Sequence, residues 1–224
     1  MVTSLVAGAV GTAAATDHDE GSALVVDLEE DGDATITLIS RYDLTDEDER
    51  RAVHDLANDT EARSALRDRF ESRMASVADD TAEETGRQMS VSEGSIDVSA
   101  PADSDVGTVA LSVHWSGLAA IDGESLVLTE PFASGFSPDR TFVVSAPDGY
   151  AATSVTPEAD AVENGSLRWD AGTTLEGFEV TFEPTTETTD GSGTSESSAP
   201  GFGILAGILA LVGVLLAART RTSD

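Results

Sequence analysis

The chain has 224 residues, enough for one or two domains, and a formal net charge of −30 from 42 acidic and 12 basic residues. Every basic residue is an arginine, and no stretch has the excess of cations that would neutralise phosphates, so we expect no nucleic-acid partner. Cysteine is absent, which excludes disulfides, thiolate metal sites and cysteine nucleophiles.

The first 15 residues form a short apolar segment that ends in small residues and precedes an acidic stretch. Ala13 and Ala15 satisfy the small-x-small pattern of a signal peptidase site, which indicates the end of a secretory signal peptide. No positive residue precedes Leu5, so either the true start lies upstream or the segment is not a signal. We expect the upstream start, and with it an exported domain at residues 16–183.

The exported domain should begin with a β-hairpin followed by helix. Two strand-like runs, 23–29 and 34–42, flank an Asp-Gly turn. Thr45 then provides a capping hydroxyl before acidic residues, and an apolar stripe at helical spacing continues to a stop at Gly86. The arginines of this helical region alternate with acids. We therefore expect a solvated face with i,i+4 ion pairs at Asp46/Arg50, Glu47/Arg51 and Asp59/Arg63.

The rest of the domain is predicted to be rich in strands, at 88–98, 106–115, 125–130, 141–146, 150–155, 166–170 and 177–183. This order predicts an α+β fold: antiparallel sheets with a helical pair or long helix covering one face, plus one C-terminal transmembrane helix. A division into modules 16–98 and 99–184, joined at 100–103, stays open.

Residues 184–199 are dominated by Thr, Ser, Glu and Gly and are predicted to form a flexible linker. The following run, 199–218, has no charge over twenty positions and as a helix would span about 30 Å, the thickness of a bilayer core. Arg219 and Arg221 follow it. By the positive-inside rule they place the C-terminus in the cytoplasm and everything before the span outside.

The acidic, lysine-free composition with few large aromatics resembles that of haloarchaeal proteins. Within it, Pro200, Gly201 and Phe202 stand between the linker and the apolar run, and segment 200–224 resembles the PGF-CTERM sorting signal of haloarchaeal surface proteins. The resemblance implies that archaeosortase A recognises the signal, that the helix is removed and that the mature chain is joined to a membrane lipid. The alternative is a single-pass helix that is never cut.

No catalytic motif or metal-ligand spacing is found, so we expect no cofactor, no metal and no catalytic residue. The solitary histidines, His18, His54 and His114, are expected to be structural or solvated. The segment Asp27-x-Glu29-x-Asp31-Gly32 imitates the start of an EF-hand loop, but Leu38 stands where the bidentate glutamate is due. Asn58 and Asn164 both lie in N-glycosylation sequons, and the turn position favours Asn164.

Phe132 and Phe136 lie in the least regular part of the β region, where they line a groove or fill the end of a sheet. Segment 22–183 resembles an uncharacterised haloarchaeal domain found in surface proteins and in membrane proteins with winged-helix domains. The resemblances imply a protein anchored on the extracellular face of the cell membrane, serving non-enzymatic binding, sensing or envelope structure, with envelope or S-layer proteins as further partners. The alternatives are a tethered carboxylate-based hydrolase and an uncleaved accessory subunit of a membrane complex.

Overall fold

The computed structural model of the protein describes residues 21–185, and the chain enters this range through a β-hairpin. Strands β1 (Ala23–Leu28) and β2 (Ala34–Asp43) pair antiparallel along six residue pairs. The tight turn between them is closed by Glu29 N–H donating to Asp33 O at 2.9 Å. The predicted hairpin is confirmed, because the Asp-Gly turn and the alternation of apolar residues both act locally.

Two helices follow, α1 (Glu47–Asn58) and α2 (Thr60–Thr85), and α2 ends at Gly86 as predicted, with Gly86 in the left-handed conformation. The predicted cap at Thr45 is wrong. The side chain of Asp46 instead accepts from the amides of Asp48 and Glu49, while the Thr45 hydroxyl donates to Asp43 Oδ1 at 2.6 Å. An aspartate caps as well as a threonine does, so the choice between adjacent residues falls to local geometry.

The ion pairs on α1 also differ from the predicted register. Arg50 lies 3.9 Å from Glu47 and Arg51 lies 2.8 Å from Asp48, so both pairs are spaced i,i+3. Asp46 Oδ1 accepts two backbone amides at the helix N-terminus, and Arg50 Nη1 instead donates to Leu44 O at 3.1 Å.

The remaining elements are strands: β3 (Ser90–Ser99), β4 (Val106–Ser116), β5 (Ala120–Asp122), β6 (Ser125–Leu128), β7 (Thr141–Ser145), β8 (Tyr150–Thr156), β9 (Ala161–Glu163), β10 (Ser166–Trp169) and β11 (Glu179–Pro184). A seven-stranded sheet has the order β3-β4-β2-β1-β7-β10-β9, and a four-stranded sheet has the order β5-β6-β11-β8. All pairings of these strands are antiparallel except β1 with β7, which is parallel. The predicted α+β class with antiparallel sheets is confirmed at this level, and β5 and β9 were missed because each has three residues.

The segment 100–103, which the sequence offered as a joint between two modules, instead connects two strands of one sheet. β3 and β4, on either side of it, pair along eight residue pairs, and β1 and β2 share that sheet with β7 and β10. Residues 21–185 all belong to one compact unit.

One hydrophobic core joins the two sheets and α2. It combines Val26 and Phe142 of the large sheet, Leu128 and Phe182 of the small sheet, and Phe70 of α2. In the described range, neither helix is both long and apolar enough to cross a membrane. The apolar run 199–218, predicted to be a transmembrane helix, lies outside the described residues.

Candidate functional site

A groove of about 570 Å³ opens between α2, the large sheet and the loop that precedes β7. Its floor is the inner face of the large sheet, where side chains from three adjacent strands line it: Leu24 of β1, Ile36 and Leu38 of β2, and Leu111 and Trp115 of β4. These positions alternate along their strands, as the pleat requires for residues that share a face. The volume lies within the range typical of small-molecule sites.

One wall of the groove is the helix α2. Its contribution is the apolar stripe that the sequence predicted, with side chains at Leu66, Phe70, Met74 and Val77. Phe70 is buried, and Met74 and Val77 pack against the same core. The stripe therefore has two roles, since it anchors the helix to the sheet and leaves part of its apolar surface facing the groove.

The opposite wall is the loop between β6 and β7, represented by Pro131, Phe132, Phe136 and Pro138. The ring of Phe132 lies 5.8 Å from that of Phe136 and 5.7 Å from that of Phe178, centroid to centroid. Both alternatives left by the sequence are therefore realised, because Phe132 fills the end of the core and also lines the groove.

Backbone hydrogen bonds fix this loop to the segment between β10 and β11. Leu175 N–H donates to Phe136 O at 3.0 Å, Gly177 N–H to Ala133 O at 2.9 Å, and Gly172 N–H to Pro138 O at 2.7 Å. Three such bonds over six residues hold the loop in one conformation. The groove is therefore preformed rather than dependent on a ligand for its shape.

Three arginines and one aspartate are the charged residues of the groove. Arg140 and Asp139 bind each other, with Nε to Oδ1 at 2.7 Å and Nη2 to Oδ2 at 3.0 Å. The hydrogen bonds from Arg140 lower the pKa of Asp139, and the same contact raises the pKa of Arg140. Arg69 and Arg73 have no hydrogen-bond or ion-pair partner among residues 21–185.

Trp115 lines the otherwise apolar floor and has a buried polar atom. The residue is 1% exposed, and its Nε1–H has no hydrogen-bond acceptor in the described part of the chain. A buried donor without an acceptor is uncommon, because the lost solvation costs about 1–3 kcal/mol. This donor has almost no accessible surface, so it lies beneath the groove floor rather than in it.

His114 lies on the opposite face of the sheet from Trp115, so it is not part of the groove. Its Nε2 is 3.2 Å from Asp33 Oδ2 and 3.3 Å from Ser116 Oγ, and its Nδ1 is 3.6 Å from Glu29 Oε1. In a catalytic triad a carboxylate accepts a hydrogen bond from the ring nitrogen opposite the serine, but here Glu29 lies beyond hydrogen-bond distance of Nδ1, and Nε2 is shared between Ser116 and Asp33.

The second oxygen of Asp33 accepts from Gly117 N–H at 2.8 Å. Asp33 therefore ties the β1–β2 turn to the chain beyond β4, and the cluster around it has a structural role. No group of three or more side chains within 21–185 is arranged to hold a metal ion, and the segment that imitates an EF-hand loop is the β1–β2 hairpin.

The two sequons occupy different environments. Asn164 lies in the exposed turn between β9 and β10, with φ of 49°, next to Gly165. Asn58 is the last residue of α1, and its amide Nδ2 donates to His54 O at 2.7 Å. Both asparagines are exposed, but the side-chain nitrogen of Asn58 is engaged in a hydrogen bond, and glycosylation at either site stays a prediction.

Several residues to which the sequence assigned a role lie outside the described residues: Ala13, Ala15, His18, Pro200, Gly201, Phe202, Arg219 and Arg221. The processing, sorting and topology assigned to them stay predictions. His54, on α1, is exposed.

The sequence reasoning missed Arg69 and Arg73, which were assigned to a solvated helix face balanced by acids. A signal was present. Arg50, Arg51, Arg63 and Arg67 each have an acidic residue three or four positions away, whereas Arg69 and Arg73 have none at either spacing. The lack of an acidic neighbour beside an apolar stripe marks these two positions.

Comparison with known proteins places the chain by family only. No curated protein matches it. The family model described as a domain of unknown function, DUF7345, matches residues 25–150, which is more than half of the chain. Every residue that lines the groove except Leu24 falls inside that segment. The chain therefore belongs to the DUF7345 family.

Proposed function

We propose that the protein is an exported, membrane-anchored cell-surface protein whose domain binds an apolar ligand in the groove between α2 and the large sheet. The proposal assigns it no reaction. The groove carries the binding half of the proposal, since it is concave, preformed and mainly apolar, with few polar groups, as ligand sites usually are.

The anchoring half of the proposal depends on the sequence of the two ends. A small-x-small site at Ala13 and Ala15 precedes the domain, and Pro200-Gly201-Phe202 with an uncharged run and two arginines follows it. The similarity to PGF-CTERM proteins supports cleavage near this motif and attachment to a membrane lipid on the extracellular face. Archaeosortase A would then be the processing partner.

A tethered carboxylate hydrolase is the less favoured alternative. Glycoside hydrolysis of the usual kind needs two carboxyl groups on either side of the scissile bond. Among the described residues that line the groove, Asp139 is the single carboxylate, and Arg140 holds both of its oxygens. The groove is thus better suited to holding a molecule than to cleaving one.

The anchoring proposal is tested by mass spectrometry of the mature C-terminus. We expect no peptides from 203–224 in the membrane-bound protein and a lipid-modified C-terminal peptide in their place. Replacing Pro200, Gly201 and Phe202 by alanine should restore the 203–224 peptides, whereas Ser197→Ala with Ser198→Ala in the adjacent linker should not. Unmodified 203–224 peptides in the wild-type protein would contradict sorting and favour the uncleaved accessory subunit.

The binding proposal is tested by quenching of tryptophan fluorescence with ω-bromododecanol, an uncharged probe whose bromine quenches on contact. The full chain is placed in nanodiscs of a zwitterionic lipid in molar KCl. Because the chain has two tryptophans, Trp169→Phe leaves Trp115 as the reporter, and Trp115→Phe is the matched blank. We expect saturable quenching in the first variant and none in the second.

Leu38→Asp should abolish this quenching, because it places a carboxylate in the apolar floor. Val162→Asp is the matched control, since Val162 is 67% exposed and distant from the groove-lining residues in sequence. Leu38→Phe, which fills part of the groove without adding charge, covers the case in which Leu38→Asp fails to fold. Equal quenching in all variants would contradict the binding proposal.

A further inference from the structure

We infer that the ligand of the groove is an amphiphile with a single apolar chain and an anionic head group, and that Arg69 and Arg73 hold the head. This inference rests on the proposed binding function and goes beyond it by assigning the class of ligand. It commits to a lipid-like molecule, with a carboxylate or phosphate oxyanion as the recognised group.

The first support is the charge at the groove compared with the charge of the chain. The whole protein has a net charge of −30, yet the charged residues around the groove are three arginines and one aspartate. Asp139 is satisfied by Arg140, which leaves Arg69 and Arg73 as an uncompensated pair of cations. A local excess of positive charge on so acidic a protein favours an anionic ligand.

The second support is the position of this pair on the helix. Arg69 and Arg73 are four residues apart and therefore neighbours on one face of α2. Both are exposed, while Phe70 and Met74 beside them face the groove and the core. This arrangement places two guanidinium groups at the rim of the groove. Long arginine side chains can there reach the head group of a ligand whose apolar chain lies inside the groove.

The third support is the lack of internal partners for these cations. An acid at three- or four-residue spacing accompanies each of the other four helix arginines, but none accompanies Arg69 or Arg73. Two adjacent unpaired cations repel each other and lower the stability of the helix. An oxyanion bound between them would remove that repulsion and form charge-assisted hydrogen bonds.

The chain of such a ligand would occupy the apolar floor and walls. Hydrocarbon contacts along the groove come from Leu38, Leu111 and Met74. The indole of Trp115 also lines the floor. Each apolar contact removes hydrocarbon from water, so a longer ligand chain should bind more tightly until the groove is filled.

Molar salt should preserve this recognition. At about 1 M the Debye length is about 3 Å, so the acids elsewhere on the surface no longer repel an approaching anion. Direct contacts between guanidinium and oxyanion lie within that distance and are retained. The experiment is therefore performed in molar KCl, where the two contact arginines dominate the charge that a head group meets.

The test compares three brominated probes with the same chain and different heads: ω-bromododecanoate, ω-bromododecanol and ω-bromododecyltrimethylammonium. Binding to the full-length Trp169→Phe protein in zwitterionic nanodiscs is measured by quenching of Trp115 at mildly alkaline pH. We expect the anionic probe to bind about tenfold more tightly than the uncharged one, and the cationic probe to bind least.

The arginine pair is then removed and compared with a matched pair. Arg69→Gln with Arg73→Gln should bring the anionic and uncharged probes to nearly equal affinity, and the double lysine variant should retain most of the difference. Arg63→Gln with Arg67→Gln is the control, with the same helix, spacing and loss of charge but no position in the groove. It should leave the ratio unchanged.

The two proposals fail in different ways. Equal binding of the anionic and uncharged probes to the wild-type groove would overturn the head-group inference and leave groove binding intact. No saturable quenching by any probe would overturn both. A synthetic peptide of residues 186–205, acidic and then apolar, tests whether the chain's own segment is the occupant. The peptide and unlabelled dodecanoate are each used to displace the anionic probe. Displacement by the peptide at a lower concentration than dodecanoate needs would overturn the assignment to a lipid-like ligand.

Discussion

Phe132 and Phe142 pack with their ring centroids 4.9 Å apart, and this contact joins the loop wall of the groove to the large sheet. Phe142 belongs to β7 and is fully buried, while Phe132 is 4% exposed and also lines the groove. Phe178 lies within 5.7 Å of both rings, again measured between centroids. The core of the domain and the shape of the groove therefore depend on the same aromatic cluster.

Truncating Phe132 should consequently affect both stability and binding. We expect Phe132→Ala to lower the free energy of unfolding by about 3–5 kcal/mol, because it removes a buried ring and leaves a cavity. Phe136→Ala should cost less, since Phe136 is only half-buried. Both are measured by chemical denaturation in molar KCl. Equal losses for the two variants would contradict the assignment of Phe132 to the core.

Gly117 is predicted to be intolerant of a side chain for two reasons. Its φ is 73°, and a β-carbon there would lie 2.5 Å from the backbone oxygen of Gln88. Gly149 has a similar φ of 77°, but a β-carbon there would have no atom within 4 Å, so a side chain would meet the backbone strain without a clash. We expect Gly149→Ala to cost about 1–2 kcal/mol through left-handed backbone strain, and Gly117→Ala to cost at least about 1 kcal/mol more.

Thermal unfolding of the two glycine variants separates these effects, because their backbone conformations are nearly the same. A larger fall in Tm for Gly117→Ala reports the clash with Gln88. Equal falls would contradict the predicted clash, since the chain beyond β4 would then move away from Gln88 at little cost.

Asp139 should titrate below its ordinary pKa of 3.8, because the hydrogen bonds from Arg140 stabilise the carboxylate. A folded-state pKa lower than the unfolded one contributes stability that is present above pH 3.8 and is lost as the pH falls through the folded value. Arg140→Gln should raise the pKa of Asp139 towards 3.8. Carboxyl carbon chemical shifts measure it directly, and Arg168→Gln, which removes an arginine elsewhere, should leave it unchanged.

Local features of the fold were predictable from the sequence because short-range chemistry determines them. The Asp-Gly turn with its flanking alternation predicted β1 and β2, and Gly86 predicted the end of α2. The parallel pairing of β1 with β7 was not predictable in this way. Ala23 pairs with Thr141, and no local pattern indicates which of several apolar strands will meet across so long a connection.

The groove was only partly accessible to sequence reasoning. Phe132 and Phe136 stood out because aromatic residues in an irregular loop need a place to pack. Arg69 and Arg73 could have been recognised from their missing acidic neighbours, but their position beside Leu38 and Leu111 follows from the tertiary fold alone.

The helix cap of α1 was predicted one residue too early. Asp46 caps the helix in place of Thr45, because two adjacent residues that can both cap a helix competed for one position.

The central claim, that the groove is a binding site, is tested most directly by methyl NMR of the full chain in zwitterionic nanodiscs and molar KCl. On titration with unlabelled dodecanoate we expect saturable shifts at the methyl groups of Leu38, Leu111 and Met74, which line the groove. The methyl groups of exposed Val162 should not move. Unshifted groove methyls at saturating dodecanoate, or shifts confined to residues outside the groove, would contradict the account.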